Sequence, residues 1–274
     1  MTELTLGISP CPNDVFIFSG LLLGEVDSGP LRFHVDYQDV ETLNERAQQG
    51  ALDVVKISYA NYLRCAARYA LLPCGGALGR GVGPLLLSNG GAWAPDREVL
   101  VPGAYTTANF LLDTYARDTC VHRPLQKRFL PFDALYHELC VTPGAQGVVI
   151  HEKRFTYEQD GLSLIEDLGS HWERSTGCAI PLGAIVARRS LQRDAALTEL
   201  IRASLRWAYA HYAEAFALCR EHAQDLSAGV VEAHIGLYVN DYSDTLGPEG
   251  EAAVDRFLEM QAGFLEDQDA NRLL

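Results

Sequence analysis

The chain has no C-x-x-C spacing, no low-complexity tract, no long apolar run and fewer basic than acidic residues, and each shortfall closes off a class of protein. Its seven cysteines, at 11, 65, 74, 120, 140, 178 and 219, form an odd set, which argues against both a disulfide framework and a zinc knuckle. Most are expected to be buried thiols. No apolar segment reaches the ~18 residues of a membrane span, and the first residues show no basic stretch leading into an apolar core. The expectation is a cytoplasmic protein without a membrane partner. A net charge of −14 argues against nucleic acid as a partner, because phosphate binding needs a basic face that releases counterions. It also requires that any anionic ligand be held by local donors against an unfavourable overall field. The phosphate-cradling G-x-x-x-x-G-K-[ST] and G-x-G-x-x-G patterns are missing, so nucleotide binding is set aside. No Ser-His-Asp order, H-E-x-x-H helix or Cys-His pair suggests itself either.

An apolar content of 48% and a charged content of 21% belong to a soluble globular protein, and 274 residues suffice for one large domain or two modest ones. Short β-like runs alternate with longer helical patterns, the signature of βαβ units and a mostly parallel sheet. Strands are read at Leu4–Ile8, Arg32–Tyr37, Asp53–Ile57, Pro84–Ser88, Glu98–Val101, Arg128–Pro131, Gln146–Ile150, Leu162–Glu166 and Gly183–Ala187. Between the second and third, Val40, Leu43 and Ala47 recur at helical spacing, with Asp39 to cap the helix and Gly50 to stop it. Beyond residue 190 the β signal vanishes, and Leu197–Ala223, Ser227–Val239 and Pro248–Glu266 read as amphipathic helices, which could serve as core or as a homo-oligomer face.

A pseudo-repeat organises the chain. Glu41-Thr-Leu43-Asn-Glu-Arg-Ala, a turn at Gly50 and Asp53-Val-Val-Lys-Ile57 resemble Asp133-Ala-Leu135-Tyr-His-Glu-Leu, a turn at Gly144 and Gly147-Val-Val-Ile-His151. His151 then corresponds to Ile57, beside Ser58, and both close strands at the edge where open α/β sheets bind ligands. Asn89–Pro95 reads as a crossing into a second unit and Gly177–Pro181 as the return. The expectation is a discontinuous first lobe of residues 1–92 plus 178–274, an inserted lobe of residues 93–177, and a cleft between them.

Several runs are candidates for the site. Ser9-Pro10-Cys11-Pro12-Asn13-Asp14 lies between an apolar strand and an apolar helix; it is either a plain turn capped by Asn13 or Asp14, or a ligand loop at a strand end. In the glycine cluster Gly75–Gly83 the backbone can pass close to a ligand or to the other lobe, with Arg80 offered to a carboxylate; an ordinary surface turn would look the same. Thr106 or Thr107 should cap the helix Asn109–Ala116, and capping alone would explain one threonine; the second hydroxyl and the glycine before it point equally to an anion site at the helix's first amides. His137, His211, His222 and His234 sit in patterns where an exposed or simply hydrogen-bonded imidazole is the default. His151 differs because it ends an apolar strand, where a neutral imidazole could take a proton near pH 7 or merely bond a carbonyl.

Taken together, Ser9–Asp14, Asp39-Val-Glu-Thr-Leu-Asn44, Lys56-Ile-Ser58-Tyr59, Gly75–Pro84, Thr106-Thr-Ala108 and Ile150-His-Glu-Lys-Arg-Phe-Thr-Tyr157 resemble the MqnD family, from residue 4 to about 245. That resemblance implies an α/β fold of the type II periplasmic-binding-protein kind, with two hinged lobes and a central cleft, used as a cytoplasmic lyase. The implied reaction converts cyclic dehypoxanthinyl futalosine to 1,4-dihydroxy-6-naphthoate in menaquinone biosynthesis, without a cofactor or metal. The implied substrate is a small anion bearing a carboxylate and sugar-derived hydroxyls, and the released fragment is dihydroxyacetone. On the matching positions His151 is the implied base, while Lys56, Ile57, Ser58, Thr107 and Ala108 contact substrate. Ser9, Asn13, Asp14, Arg80 and Thr106 are further candidates for the cleft. Two alternatives stand beside this reading: a solute-binding module of the same fold without activity, and the sister chorismate dehydratase.

Overall fold

The chain builds two β-sheets, and a computed structural model describes it over residues 1–119, 124–223 and 226–272. The first sheet takes β1 (Thr2–Ile8), β2 (Leu31–Tyr37), β3 (Val54–Ser58), β4 (Tyr69–Leu71) and β5 (Ala77–Gly79). The second takes β6 (Leu85–Ser88), β7 (Val99–Val101), β8 (Lys127–Phe129), β9 (Gln146–Val149) and β10 (Ser163–Asp167), after which β11 (Ile180–Arg188) returns to the first. Helices α1 (Pro12–Leu22), α2 (Val40–Gln49) and α3 (Tyr62–Cys65) accompany the first sheet in sequence; α4 (Thr107–Asp118), α5 (Phe132–Val141) and α6 (Leu168–Thr176) accompany the second. The chain ends in α7 (Asp194–Ala210), α8 (Tyr212–His222), α9 (Ala228–Tyr238), α10 (Asp241–Asp244) and α11 (Gly247–Arg272).

The two sheets share one construction. Their strand orders are β2-β1-β3-β11-β4, with β5 also on β11, and β8-β7-β9-β6-β10. In each, a β-α-β-α-β run makes a parallel trio whose first strand is central, and an antiparallel strand, β11 or β6, follows the third. The repeat suggested by the two similar motifs is therefore an architectural one. It also corrects the expectation of a mostly parallel sheet, because β11 and β6 run against every neighbour they pair with.

Local chemistry explains the elements that frame the cleft. Asp39 accepts hydrogen bonds from the amides of Glu41 and Thr42 to start α2, and Gly50 ends it at φ 71°, where a side chain would be strained. Helix α1 starts with Pro12, whose missing N–H costs nothing at a first-turn position. Its N-cap is Cys11, so Asn13 and Asp14 are not caps but buried first-turn residues. Val15–Phe18 are buried on all sides, because α1 is sandwiched between the first sheet and helices α7 and α8.

Other expectations need adjusting. Strand β6 belongs to the second sheet, so the first crossing falls between Gly79 and Leu85 rather than at residue 92. Asn89 turns within the second sheet instead, bonding Ala145 and Gly144. The glycine cluster supplies the crossing: a Cβ on Gly83 would sit 2.2 Å from Gly169 Cα at the start of α6, so only glycine allows the two backbones to meet. The run 197–223 is broken at His211, which leaves helical geometry at φ −124°. Of the six described cysteines only Cys65, Cys74 and Cys219 are buried, and Cys120 lies outside the described residues. Among those residues no helix is long and apolar enough to cross a membrane.

Candidate active site

In each parallel trio the first and third strands are neighbours whose connections leave in opposite directions, and ligands of α/β sheets bind at such switch points. The carboxyl ends of β1 and β3 and those of β7 and β9 line a single cleft with about 700 Å³ of empty space, part of it open to solvent. Ser9, Asn13, Asp14, Lys56, Ile57, Ser58, Thr106, Thr107, Ala108 and His151 all line it, so residues read from four separate motifs converge. Arg80 does not. It stands exposed at the crossing, pairing with Glu249 at 3.0 Å and donating to Gly177 O, and the solvent-facing turn at Gly81 aims it away from the cleft.

The floor of the first lobe is a buried ion pair. Lys56 Nζ lies 2.8 Å from Asp14 Oδ1, with the two side chains 6% and 4% exposed. Asp14 also accepts from Ser9 N–H at 3.2 Å, Ser9 Oγ at 2.7 Å and Asn13 Nδ2 at 2.8 Å. Lys56 donates a second hydrogen bond to Gly75 O at 2.9 Å, which leaves one of its three N–H groups for a ligand. Ser58 is held by Asn44, which donates to its Oγ at 3.1 Å and accepts from its amide at 2.9 Å, so the hydroxyl proton of Ser58 is uncommitted.

Across the cleft both threonine hydroxyls are already engaged. Thr106 Oγ1 caps α4 by accepting from Asn109 N–H at 3.1 Å and donates to Gly103 O. Thr107 Oγ1 donates to Leu182 O at 2.9 Å and accepts from Ala60 N–H at 3.3 Å, tying the second lobe to the first. A second tie runs from Tyr105 N–H to both Glu41 carboxylate oxygens, at 3.0 and 3.2 Å. What Thr107 and Ala108 offer a ligand is therefore their backbone amides, in the first turn of α4 where the helix dipole favours an anion.

His151 begins the turn after β9 with its backbone in the left-handed region, φ 58°, a conformation rare outside glycine but tolerated by histidine more than by bulkier residues. Its Nδ1 lies 3.5 Å from Cys11 Sγ, a Cys-His pair concealed by a separation of 140 positions in the chain. Burial works against its charged form, but the Cys11 sulfur, Glu152 and Asp14 outweigh it and raise the imidazole to about 9. Phe132 packs edge-on to its ring at 5.3 Å.

His234 is the residue that pattern reading missed. It is 1% exposed, lines the cleft and lies with its ring centroid 6.5 Å from that of His151. Asn13 gives its amide nitrogen to Asp14, so its oxygen faces His234 Nε2 at 3.1 Å and makes that nitrogen the donor. Burial and the neighbouring His151 lower its pKa to about 3, keeping it neutral. Helix α9 is apolar on most sides, and no periodicity marks its one histidine; only the packing of α9 on α1 shows it. Among the described residues no cluster of three or more His, Cys, Asp and Glu side chains could hold a metal ion.

Two α/β lobes closing on a ligand-sized cleft are the periplasmic-binding-protein class of fold. A solved protein of Archaeoglobus fulgidus superposes with a TM-score of 0.87 at 26% identity, covering 99% of this chain and 98% of that one. The alkanesulfonate-binding protein of Xanthomonas axonopodis superposes with a TM-score of 0.66 at 12% identity, over 87% of this chain and 84% of its own. The family model described as menaquinone biosynthesis matches residues 4–262, and the chain belongs to that family of enzymes. It is 46% identical over 270 residues to the 1,4-dihydroxy-6-naphtoate synthase of Thermus thermophilus, covering 96% of this chain and 95% of that protein.

Proposed function

We propose that the chain is a carbon–carbon lyase that converts cyclic dehypoxanthinyl futalosine to 1,4-dihydroxy-6-naphthoate and dihydroxyacetone in the cytoplasm, with His151 as general base. The observation that carries this reading is the placement of His151 in the cleft wall, with Nδ1 engaged by Cys11 and Nε2 bonded to no described residue. Nε2 takes the proton of a substrate hydroxyl. The oxygen electrons form a carbonyl as the adjacent carbon–carbon bond breaks, and the bonding pair passes to the ring carbon as an enolate. The enolate oxygen takes a proton back from the His151 imidazolium, and transfer of the remaining ring proton from carbon to oxygen gives the aromatic naphthoate, so the base is regenerated and aromatisation supplies the driving force. Lys56, Ser58 and the amides of Thr107 and Ala108 are suited to hold the carboxylate and hydroxyls in place.

Incubation of the pure protein with cyclic dehypoxanthinyl futalosine should produce a naphthalene ultraviolet chromophore. His151→Ala should lower kcat by ~10²–10⁴ with little change in KM. Binding without turnover would favour a solute-binding module, and turnover of chorismate instead would favour the sister dehydratase. Undiminished turnover by His151→Ala removes the base from this assignment.

A further inference from the structure

A histidine that accepts a proton through Nε2 must carry its own proton on Nδ1, because a neutral imidazole has one N–H and one lone pair. We propose that Cys11 is a positioning residue for His151: its sulfur accepts Nδ1–H, keeps the lone pair on Nε2, and stabilises the imidazolium formed when Nε2 takes the substrate proton. The proposal rests on the reading of His151 as the base.

Three features place the sulfur for this task. Cys11 is the N-cap of α1 but its side chain caps nothing, so the sulfur is free to turn across the cleft to Nδ1 at 3.5 Å. The loop between β1 and α1 holds Cys11 at the carboxyl end of β1, between the cleft residues Ser9 and Asn13. The ring itself cannot easily swing away, with Phe132 packed edge-on and the backbone held at φ 58°. No other described cysteine contacts His151, and burial pushes the thiols of Cys65 up to about 11 and of Cys74 and Cys219 to about 12.

The groups facing His151 are Cys11 at the N-cap of α1, Asp14 of α1, Glu152 beside it and His234 of α9, while the charge of Lys56 of β3 is paired with Asp14. His234 stays neutral, and Phe132 of α5 brings no charge. Cys11 is the one anion-forming group in direct contact with the ring among the described residues.

The test titrates the His151 Cε1–H signal by NMR, assigned by its loss in His151→Ala, alongside the pH dependence of kcat. In the wild type the midpoint should lie above the ordinary histidine value, toward 9, and the rate should rise with pH through it because the neutral ring is the base. Cys11→Ala and Cys11→Ser should each lower that midpoint by at least about one pH unit and reduce kcat roughly tenfold or more, with KM changed less than about twofold. Cys11→Asp, which supplies a carboxylate acceptor at the same position, should recover the raised midpoint. A midpoint unmoved in both Cys11→Ala and Cys11→Ser overturns the proposal, as does a Cys11→Asp variant that behaves like alanine. Because the NMR titration needs no turnover, these outcomes are separate from failure of the base assignment, which would show as activity surviving in His151→Ala.

Discussion

Replacing Lys56 with methionine keeps most of the side-chain stem and removes only the ammonium, which leaves the Asp14 carboxylate buried without a counter-charge. Breaking a buried ion pair in this one-sided way typically costs ~3–5 kcal/mol. Two features of the site pull the figure to the low end. Ser9 N–H, Ser9 Oγ and Asn13 Nδ2 still donate to the carboxylate, and its place in the first turn of α1 puts it in a favourable helix dipole worth ~0.3–1 kcal/mol. The expected loss is therefore about 3 kcal/mol at pH 7, somewhat more than a hundredfold in the unfolding equilibrium. Urea denaturation followed by circular dichroism measures it, and the midpoint should fall without a change in slope. The deficit should narrow as the pH is lowered, since protonating Asp14 removes the stranded charge. Asp14→Asn in the same background should recover part of it by the same route. A Lys56→Met variant within 1 kcal/mol of wild type at pH 7, or a deficit that neither acid nor Asp14→Asn reduces, would refute the uncompensated charge as the cause.

The remaining expectations follow from single contacts. Arg80→Ala should leave kcat/KM unchanged and stability within about 0.5 kcal/mol in thermal melts, because its pair with Glu249 is exposed. Since His151 sits at φ 58°, His151→Gly should be more stable than His151→Ala by roughly 1 kcal/mol in urea titration, while both lose turnover. Burial holds the Glu41 carboxyl above its ordinary value, partly countered by hydrogen bonds from Tyr105, Asn44 and Ala104. A folded carboxyl with a raised pKa binds more protons than the unfolded one, so its cost is absent below the ordinary carboxylate range and appears as pH rises through the raised value. Glu41→Gln should thus match or exceed wild type at pH 7 and flatten that slope, whereas Glu41→Ala should lose about 1 kcal/mol by stranding the Tyr105 amide; melts between pH 4 and 7 decide both.

Much of the frame could be read from residue order because local signals were strong. Asp39 and Gly50 bracket α2, and the apolar runs of β1, β2 and β3 fall within one or two residues of their observed ends. Strands β4 and β5 escaped notice because no turn-bounded apolar run sets them off from the residues around them, and they exist by pairing with β11. The direction of β6 and β11 is set by where the chain crosses between sheets, which no local pattern encodes. In the cleft, motif runs marked the charged and hydroxylic residues. The partners that tune them are non-local: Cys11 meets His151 from 140 residues away, and His234 reaches Asn13 across 221.

Because Thr107 Oγ1 bonds Leu182 on one side and Ala60 on the other, the hydroxyl that closes the two halves sits one residue from the amide offered to substrate. Admission and grip are thereby mechanically joined: a molecule large enough to part the walls must first loosen the very turn that will later clasp it. Selection for a bulkier guest would thus act on the fastening as much as on the recess, because Thr107 and Leu182 belong to both.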